Sequence, residues 1–317
     1  MGDSPDLRSL ARSHRDSGVP EVDYEDYDAS SRLHWGGPAP KWFPEAMAAY
    51  PERFANQRGK VALITGGTSG IGLYAAKLLA AVGFALILPQ RPGLAHEAAG
   101  AMRAVTADVP GATVLVPTVP LDLASFASVR AFGTHLREEE RALCNTSLCA
   151  ARRIDALLCN AGRGGGVHDE WELTGDGLEA IMQVNLLSHA LLIAQLRPLL
   201  AASAHARVVL HSSSARHNAA PSQLGDLLGA RRRLHPWGRY SLSKAAMCLA
   251  ARALNAGRLQ AAGIAGAACA ADPGLAATGV NVQHDLAKCT PTLRLEPHAD
   301  RLRPLTCSGP VPAQRSV

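Results

Sequence analysis

The 317-residue sequence has few aromatic residues, only 4%, and no uninterrupted run of 18 apolar residues. Aliphatic side chains must therefore build the core, and no membrane-spanning helix is predicted. The seven cysteines are odd in number and form no C-x-x-C pair, which argues against a disulfide framework or a zinc site. The N-terminus lacks a secretory pattern, so the cytoplasm is expected by default, with an organelle left open. A net charge of +5 does not indicate nucleic-acid binding.

Composition divides the chain into three regions. Residues 1–59 contain an acidic patch and a Gly/Pro-rich stretch, so we expect a partly disordered N-terminal extension with one helical turn near Glu45–Tyr50. Residues 60–280 carry the apolar periodicity of a folded domain. Residues 281–317 are polar and Pro-containing without periodicity, which predicts a disordered C-terminal tail.

Short apolar runs alternate with longer Ala/Leu-rich segments across residues 60–280. This alternation is typical of βαβ units, and nearly continuous apolar strands fit a sheet covered by helices on both faces. The predicted fold class is therefore α/β, with a Rossmann-type doubly wound parallel sheet. The predicted strands are Val61–Ile64, Ala85–Leu88, Thr113–Val116, Ala156–Cys159, Val208–Leu210 and Ile264–Cys269, and the predicted helices lie near 71–82, 93–104, 124–142, 176–200 and 241–262.

A glycine-rich turn follows the first predicted strand, where Lys60–Gly72 reads K-V-A-L-I-T-G-G-T-S-G-I-G. Glycines let the backbone turn tightly and approach a ligand closely, and the start of the next helix favours negative charge. The strand–turn–helix context predicts a site for the pyrophosphate of a dinucleotide, with a bare tight turn as the alternative. The residues expected to bind it are Gly66, Thr68, Ser69, Gly70, Ile71 and Gly72.

Arg91 indicates which dinucleotide is bound. It follows the second predicted strand, 19 residues after Gly72, where an NAD site would carry an acidic residue for the ribose. A carboxylate would repel a 2′-phosphate, whereas a guanidinium binds it bidentately. We therefore expect NADP(H) in preference to NAD(H), with a solvated surface arginine as the alternative.

Tyr240 and Lys244 are spaced so that one face of a helix carries both. A free phenol is a poor base at neutral pH, but a cation about 4 Å away contributes roughly 4 kcal/mol at an effective dielectric near 20. Lys244 is thus expected to lower the pKa of Tyr240 towards the range of proton transfer. Ser212–Ser214 follow the strand Arg207–His211, and a hydroxyl there could hold a substrate oxygen.

Together these motifs resemble the short-chain dehydrogenase/reductase superfamily over residues 60–280. The long segment between Ser213 and Tyr240, and the Asn185-x-x-x-His189 spacing, resemble its branch of retinol dehydrogenases, WW-domain oxidoreductases and protochlorophyllide reductases. The motifs that carry the resemblance are Thr65-Gly66-x-x-x-Gly70-Ile71-Gly72, Asp122-Leu123, Asn160-Ala161-Gly162, Asn185, Ser213, Tyr240-x-x-x-Lys244, and Pro273-Gly274 with Thr278.

The resemblance implies a role for each matched residue. Tyr240 would be the acid/base, Lys244 would lower its pKa and bind the nicotinamide ribose, and Ser213 would hold the substrate oxygen. Asn185 would support a water linked to Lys244. The remaining motif residues would bind the cofactor, with Asp122 and Leu123 at the adenine ring, Asn160, Ala161 and Gly162 after the fourth strand, and Pro273, Gly274 and Thr278 at the nicotinamide.

The expected function is that of an NADP(H)-dependent oxidoreductase. It would transfer hydride between nicotinamide and a carbonyl or alcohol carbon of a small or lipophilic molecule, and the resemblance also implies a possible homodimer through helices 176–200 and 241–262. One alternative is a dinucleotide-binding relative with little catalysis that acts as a sensor or interaction protein. Another is double-bond reduction of a tetrapyrrole.

Three departures from the family pattern bear on this expectation. Ser69 stands where many NADP-preferring members have Arg or Lys, so Arg91 would act alone. Asp272 stands where this branch often has His, which places a carboxylate near the nicotinamide. About 40 residues follow Gly274, so the C-terminal part of the fold, including the substrate lid and last strand, is expected to be shortened.

Overall fold

The computed structural model describes residues 42–54, 56–138, 153–164, 171–228 and 234–273. The strands are β1 Val61–Ile64, β2 Ala85–Ile87, β3 Val114–Leu115, β4 Ala156–Cys159, β5 Ala206–His211 and β6 Gly266–Ala271. The helices are α1 Trp42–Arg53, α2 Gly70–Ala81, α3 Ala95–Asp108, α4 Phe126–Glu138, α5 Ala180–Met182, α6 Ser188–Gln195, α7 Arg197–Ala201, α8 Pro236–Ala253 and α9 Leu259–Ala261.

Irregular helical segments connect some of these elements. A π-helical turn, Gln183–Leu187, joins α5 to α6, and a kinked turn, Leu254–Arg258, joins α8 to α9. Two 3-10 segments, Ser214–Asn218 and Pro221–Asp226, lie between β5 and α8.

The six strands form one parallel sheet in the order β3-β2-β1-β4-β5-β6. The order reverses between β1 and β4, and open α/β sheets bind ligands in the crevice at the carboxyl ends of the strands on either side of such a reversal. The predicted doubly wound α/β fold is therefore confirmed.

The core lies on both faces of this sheet. In β1, all four residues are buried, and they alternate between two hydrophobic clusters. Val61 and Leu63 pack with Phe132 and Leu192 on one face, whereas Ala62 and Ile64 pack with residues of α2 and α3 on the other. This two-sided burial explains why the central strands are continuous apolar runs.

Helix α1 packs against the domain through Phe43. Its side chain is 2% exposed, and its ring meets the ring of Tyr74 edge-on with centroids 4.6 Å apart. Lys77 Nζ lies within 6 Å of both ring centroids, at 5.7 and 5.8 Å. The helix is longer than the single turn expected near Glu45–Tyr50, because this aromatic contact stabilises it from outside.

Some boundaries differ from the predicted ones. The helix expected near 241–262 begins at Pro236, since proline is favoured in the first turn of a helix. The helix expected near 176–200 is divided by the π-helical turn and by a break at Leu196. None of the described helices is both long enough and apolar enough to cross a membrane.

Candidate active site

The glycine turn between β1 and α2 has the backbone that the sequence predicts. Gly66 and Gly70 have positive φ, 64° and 49°, a region that other residues seldom adopt. A Cβ at Gly72 would lie 2.2 Å from the carbonyl oxygen of Gly66, so no side chain fits there. Ser69 is exposed and makes no capping hydrogen bond from its side chain, whereas Thr68 is buried. Because its glycines carry no side chains and its backbone packs tightly, this turn fits a pyrophosphate at the start of α2.

The loop after β4 is bonded directly to this turn. The backbone N–H groups of Asn160 and Ala161 donate to Thr65 Oγ1 over 2.9 and 3.0 Å. The Asn160 side chain donates in turn to the carbonyl oxygens of Thr65 and Gly66, at 3.0 and 3.3 Å. The predicted Asn160-Ala161-Gly162 motif therefore lies against the glycine turn.

His189 supports the contact between the loop after β4 and the glycine turn. Its Nδ1 lies 2.9 Å from the backbone oxygen of Asn185, which can only accept, so Nδ1 carries the proton. Burial lowers the pKa of His189 to about 4, so the ring is neutral and Nε2 accepts from Thr65 Oγ1, 2.9 Å away. The sequence identified His189 only as a mark of resemblance, and its position one turn after Asn185 was the available signal.

Tyr240 and Lys244 share one face of α8, one turn apart. Lys244 Nζ lies 5.5 Å from the centroid of the Tyr240 ring and donates to the backbone oxygen of His211 over 2.9 Å. Burial lowers the pKa of Lys244 to about 8. The two side chains are thus brought together as the spacing predicts.

The pKa of Tyr240 moves in the direction opposite to the one expected. It is raised, chiefly because burial disfavours the phenolate and to a smaller extent because of the negative charge of Asp272. A side-chain hydrogen bond with Ser213 acts in the lowering direction but does not reverse the shift. The expected lowering of this pKa is therefore wrong, and the Lys244 ammonium group donates instead to the His211 carbonyl.

Of the three serines after β5, Ser213 is the one whose side chain acts on the pKa of Tyr240. The Ser212 hydroxyl is buried and donates to the backbone oxygen of Lys244 over 2.8 Å, so it secures α8 to the sheet. Ser214 is exposed at the start of the following 3-10 turn.

Asn185 lies in the π-helical turn, a distortion that is frequent at functional sites. Its side chain donates to Ser243 Oγ over 2.9 Å and to the backbone oxygen of Arg163 over 3.0 Å, and it accepts from the N–H of Arg163 over 2.8 Å. A Cβ added at Gly162 would lie 3.1 Å from Asn185 Oδ1 and 3.4 Å from Lys244 Nζ. The loop after β4 therefore contacts the glycine turn at one end and the Asn185–Lys244 pair at the other.

The other predicted cofactor residues lie further along the same edge of the sheet. Arg91 follows β2, where its side chain is 62% exposed and bonds Glu97 over 2.9 Å. After β3, Asp122 Oδ1 accepts from the N–H of Ala124 over 2.8 Å, and the backbone of the buried Leu123 accepts from Ser188 over 2.6 Å. Pro273 is exposed after β6, and two further predicted residues, Gly274 and Thr278, lie outside the described residues.

Two ion pairs beside the site were not predicted by any pattern in the sequence. Arg216 pairs with Asp272, and the buried Arg239 Nε lies 3.4 Å from Glu179 Oε1. The Glu179 carboxylate also accepts from the N–H groups of Ile181 and Met182 in α5, at 3.1 and 2.8 Å. Each pair joins residues more than fifty positions apart, which single-sequence patterns do not connect.

The profile of the short chain dehydrogenase family matches residues 60–225. Retinol dehydrogenase 13 of Homo sapiens is 36% identical over 222 residues, covering 69% of this chain and 60% of that protein. The chloroplastic protochlorophyllide reductase of Chlamydomonas reinhardtii is 36% identical over 155 residues, covering 49% of this chain and 34% of that protein.

A solved structure of an uncharacterised protein from Mycobacterium paratuberculosis has a TM-score of 0.56 and 30% identity. That match covers 74% of this chain and 75% of the other. The matched part of this chain thus spans 34% to 60% of the length of the two curated relatives.

Proposed function

The chain belongs to the short-chain dehydrogenase family, and from that premise we propose that it is an NADP(H)-dependent oxidoreductase acting on a carbonyl or alcohol group. One observation carries the proposal. Tyr240 lies beside Lys244 at the carboxyl edge of the sheet, with Ser213 close enough to act on the pKa of its phenol, and the Gly162 loop joins that cluster to the glycine turn.

The chemistry follows from the protonation of the phenol. Because burial raises the pKa of Tyr240, the phenol is protonated at neutral pH and can donate its proton to a carbonyl oxygen. Ser213 is placed to hold that same oxygen through its hydroxyl. A bound nicotinamide coenzyme would supply hydride to the carbonyl carbon, and alcohol oxidation would run through the same groups in reverse.

Lys244 and Asn185 would support the phenol in this scheme. With a pKa of about 8, Lys244 is close to the point at which it can gain or lose a proton near neutral pH. Asn185 is fixed by three hydrogen bonds to Arg163 and Ser243, so it is a rigid neighbour of the ammonium group. A proton relay from Tyr240 through Lys244 is the role we assign to this pair.

The proposed preference for NADP(H) rests on Arg91. Its guanidinium is largely exposed after β2 and paired with Glu97 on the surface. An exposed ion pair contributes at most about 1 kcal/mol, so a 2′-phosphate could take over the guanidinium at little cost. Retinoid-like or other lipophilic carbonyls, such as the names of the curated relatives suggest, are candidate substrates.

The decisive test is consumption of NADPH against a panel of aldehydes and ketones. We expect turnover by the wild type and a loss of at least about 100-fold in kcat for Tyr240→Phe, because the proton donor is removed. Tyr50→Phe makes the same chemical change on α1 and should keep wild-type rates.

Equal rates for the wild type and Tyr240→Phe would reject the proposal. Binding of NADPH without any turnover would instead favour the second function, a dinucleotide-binding relative that acts as a sensor or interaction protein. A homodimer through α6 and α8 stays a prediction.

A further inference from the structure

The side chain of His211 meets that of Asn160 at the carboxyl edge of the sheet. Cys159 is aligned with Leu210 in the parallel pair β4–β5, so Asn160 and His211 occupy the next position along each chain. Side chains at aligned positions of neighbouring strands lie on the same face of a sheet. His211 Nδ1 accordingly lies 2.8 Å from Asn160 Oδ1.

Three hydrogen bonds fix the orientation of the Asn160 carboxamide. Its Nδ2 lies 3.0 and 3.3 Å from the backbone oxygens of Thr65 and Gly66, which can only accept, so this atom is the amide nitrogen. Its Oδ1 then faces His211 as an acceptor, which places a proton on Nδ1 of the His211 ring. Reversing the carboxamide would set its oxygen against two carbonyl oxygens.

The carboxamide fixed in this way packs against the glycine turn. A Cβ at Gly72 would lie 2.6 Å from Asn160 Nδ2, and a Cβ at Gly66 would lie 3.2 Å from the same atom. The backbone N–H of Asn160 also donates to Thr65 Oγ1 over 2.9 Å. Rotation of the Asn160 side chain would therefore remove a contact that supports the backbone of the turn.

The main chain of His211 makes a second connection, to α8. Its carbonyl oxygen accepts from Lys244 Nζ over 2.9 Å, and Lys244 is only 4% exposed. The next residue, Ser212, donates from its hydroxyl to the backbone oxygen of Lys244 over 2.8 Å. The end of β5 thus holds Lys244 at both its side chain and its backbone.

We propose that His211 is the positioning residue that joins the two halves of the site: its Nδ1–H fixes the Asn160 carboxamide against the glycine turn, while its carbonyl oxygen holds the Lys244 ammonium group. His211 acts through these two residues and is not itself a catalytic residue. Without the ring donor, the carboxamide is free to rotate and the turn loosens. The consequence for dinucleotide affinity rests on the proposed function.

His211→Asn and His211→Leu are the matched pair of variants. Their side chains have nearly the same shape, but only asparagine carries an N–H at the position of the histidine Nδ1. In His211→Leu, amide hydrogen exchange in residues 65–72 and 160–162 should accelerate about fivefold or more, as expected for the loss of one hydrogen bond, whereas His211→Asn should stay within about twofold of the wild type.

The measurement is hydrogen exchange followed by mass spectrometry, on the full chain without cofactor. Exchange in α3 is read in the same spectra. A general loss of stability would raise it together with exchange in the turn, whereas the proposed role leaves it unchanged. His205→Leu is the control, since His205 is exposed directly before the other end of β5, and it should match the wild type.

A second measurement uses the wild type and does not depend on how the variants fold. In assigned long-range proton–nitrogen correlation spectra at neutral pH, the His211 ring should carry its proton on Nδ1. A ring protonated on Nε2 alone could not donate to Asn160 Oδ1 and would overturn the proposal.

Binding of NADPH connects this role to the proposed function. His211→Leu should weaken it about fivefold or more, and His211→Asn should keep nearly the wild-type affinity. Equal behaviour of the two variants, or faster exchange in the turn with unchanged NADPH affinity, would overturn the proposal. If the wild type itself does not bind NADPH, the proposed function fails, and the exchange pattern and the ring tautomer still decide the role of His211.

Discussion

His189 holds two parts of the site together. It links Asn185 in the π-helical turn to Thr65 at the end of β1, and Thr65 in turn binds the loop after β4. Only the neutral ring can make this bridge, because its Nε2 must accept a hydrogen bond. The contact between the π-helical turn, the end of β1 and the loop after β4 therefore depends on a histidine that stays unprotonated.

Protonation of His189 should destabilise the fold in acid. Burial lowers its pKa to about 4, against about 6.5 in the unfolded chain, so between these values the unfolded state binds more protons. Stability is therefore complete above about pH 6.5 and falls as the pH drops towards 4, by at most about 3 kcal/mol from this residue. His211, with a pKa also lowered to about 4, adds in the same direction.

The measurement is urea unfolding between about pH 7.5 and about pH 4.5, a range that covers most of the interval between the two pKa values. His189→Gln should flatten the dependence of the unfolding free energy on pH, whatever its effect on absolute stability. The exposed His96→Gln on α3 is the control and should keep the wild-type slope. A wild-type slope in His189→Gln would show that the buried ring does not carry this dependence.

Arg91 allows a second test at the level of one residue. If its guanidinium binds a 2′-phosphate, Arg91→Ala should weaken NADPH binding about tenfold or more, since a charge-assisted hydrogen bond contributes roughly 1.5–3 kcal/mol. NADH binding should change little. Arg103→Ala, an exposed arginine on α3, serves as the control, and equal losses for both coenzymes would refute the assignment.

Residue spacing predicted which side chains meet but not their electrostatics. The i, i+4 spacing places Lys244 beside Tyr240 because helix geometry is local. The pKa of Tyr240 depends on burial and on Asp272, which is contributed by a distant strand end. The predicted direction was wrong because desolvation is a property of the packed molecule and not of the local sequence.

At the scale of elements, the central strands were predicted closely and the helices less so. β1 and β4 have the predicted bounds because a strand buried on both faces must be apolar throughout. The π-helical turn Gln183–Leu187 was not predicted, since the apolar pattern continues through it. The π-helical turn directs the Asn185 side chain towards Ser243, so the departure from regular helical geometry occurs at a residue of the candidate site.

The Glu179–Arg239 pair joins the helix that carries this turn to α8. Both side chains are almost fully buried, at 4% and 5% exposed, and the Arg239 guanidinium carbon lies 5.3 Å from the centroid of the Trp171 ring. Removing one partner of a buried pair leaves the other charge uncompensated. The pair therefore holds the start of α5 against the residue that precedes Tyr240.

Arg239→Met should lower the unfolding free energy by about 3 kcal/mol, measured by urea unfolding. The comparison is Arg163→Met, which breaks the pair with Glu172 whose side chains are 36% and 56% exposed, and should cost less than about 1 kcal/mol. Similar costs for the two variants would mean that burial does not set the value of the Glu179–Arg239 pair.

For the whole molecule, the parallel α/β architecture of the sheet followed from the sequence, and the state of the sheet edge did not. Within the described residues, β6 is the last strand, and four of its six residues are exposed. Unpaired edges promote association with other chains. The carbonyl of Ala265 accepts from Ala206 at the start of β5, and that of Ala271 accepts from Ser212 just after β5. Ala268 lies an odd number of residues from each, so its N–H and C=O point away from β5.

Asn255 covers the outward-facing backbone groups of Ala268 in β6. From the kinked turn after α8, its carboxamide donates to the carbonyl oxygen of Ala268 over 2.7 Å and accepts from its N–H over 2.8 Å, as a neighbouring strand would. Asn255→Ala should therefore cost about 1 kcal/mol of stability and increase self-association, measured by urea unfolding and by sedimentation at increasing protein concentration. Asn218→Ala, at an exposed position in the turn after β5, should change neither. If Asn255→Ala stays as monodisperse as the wild type, the carboxamide is not what protects this edge.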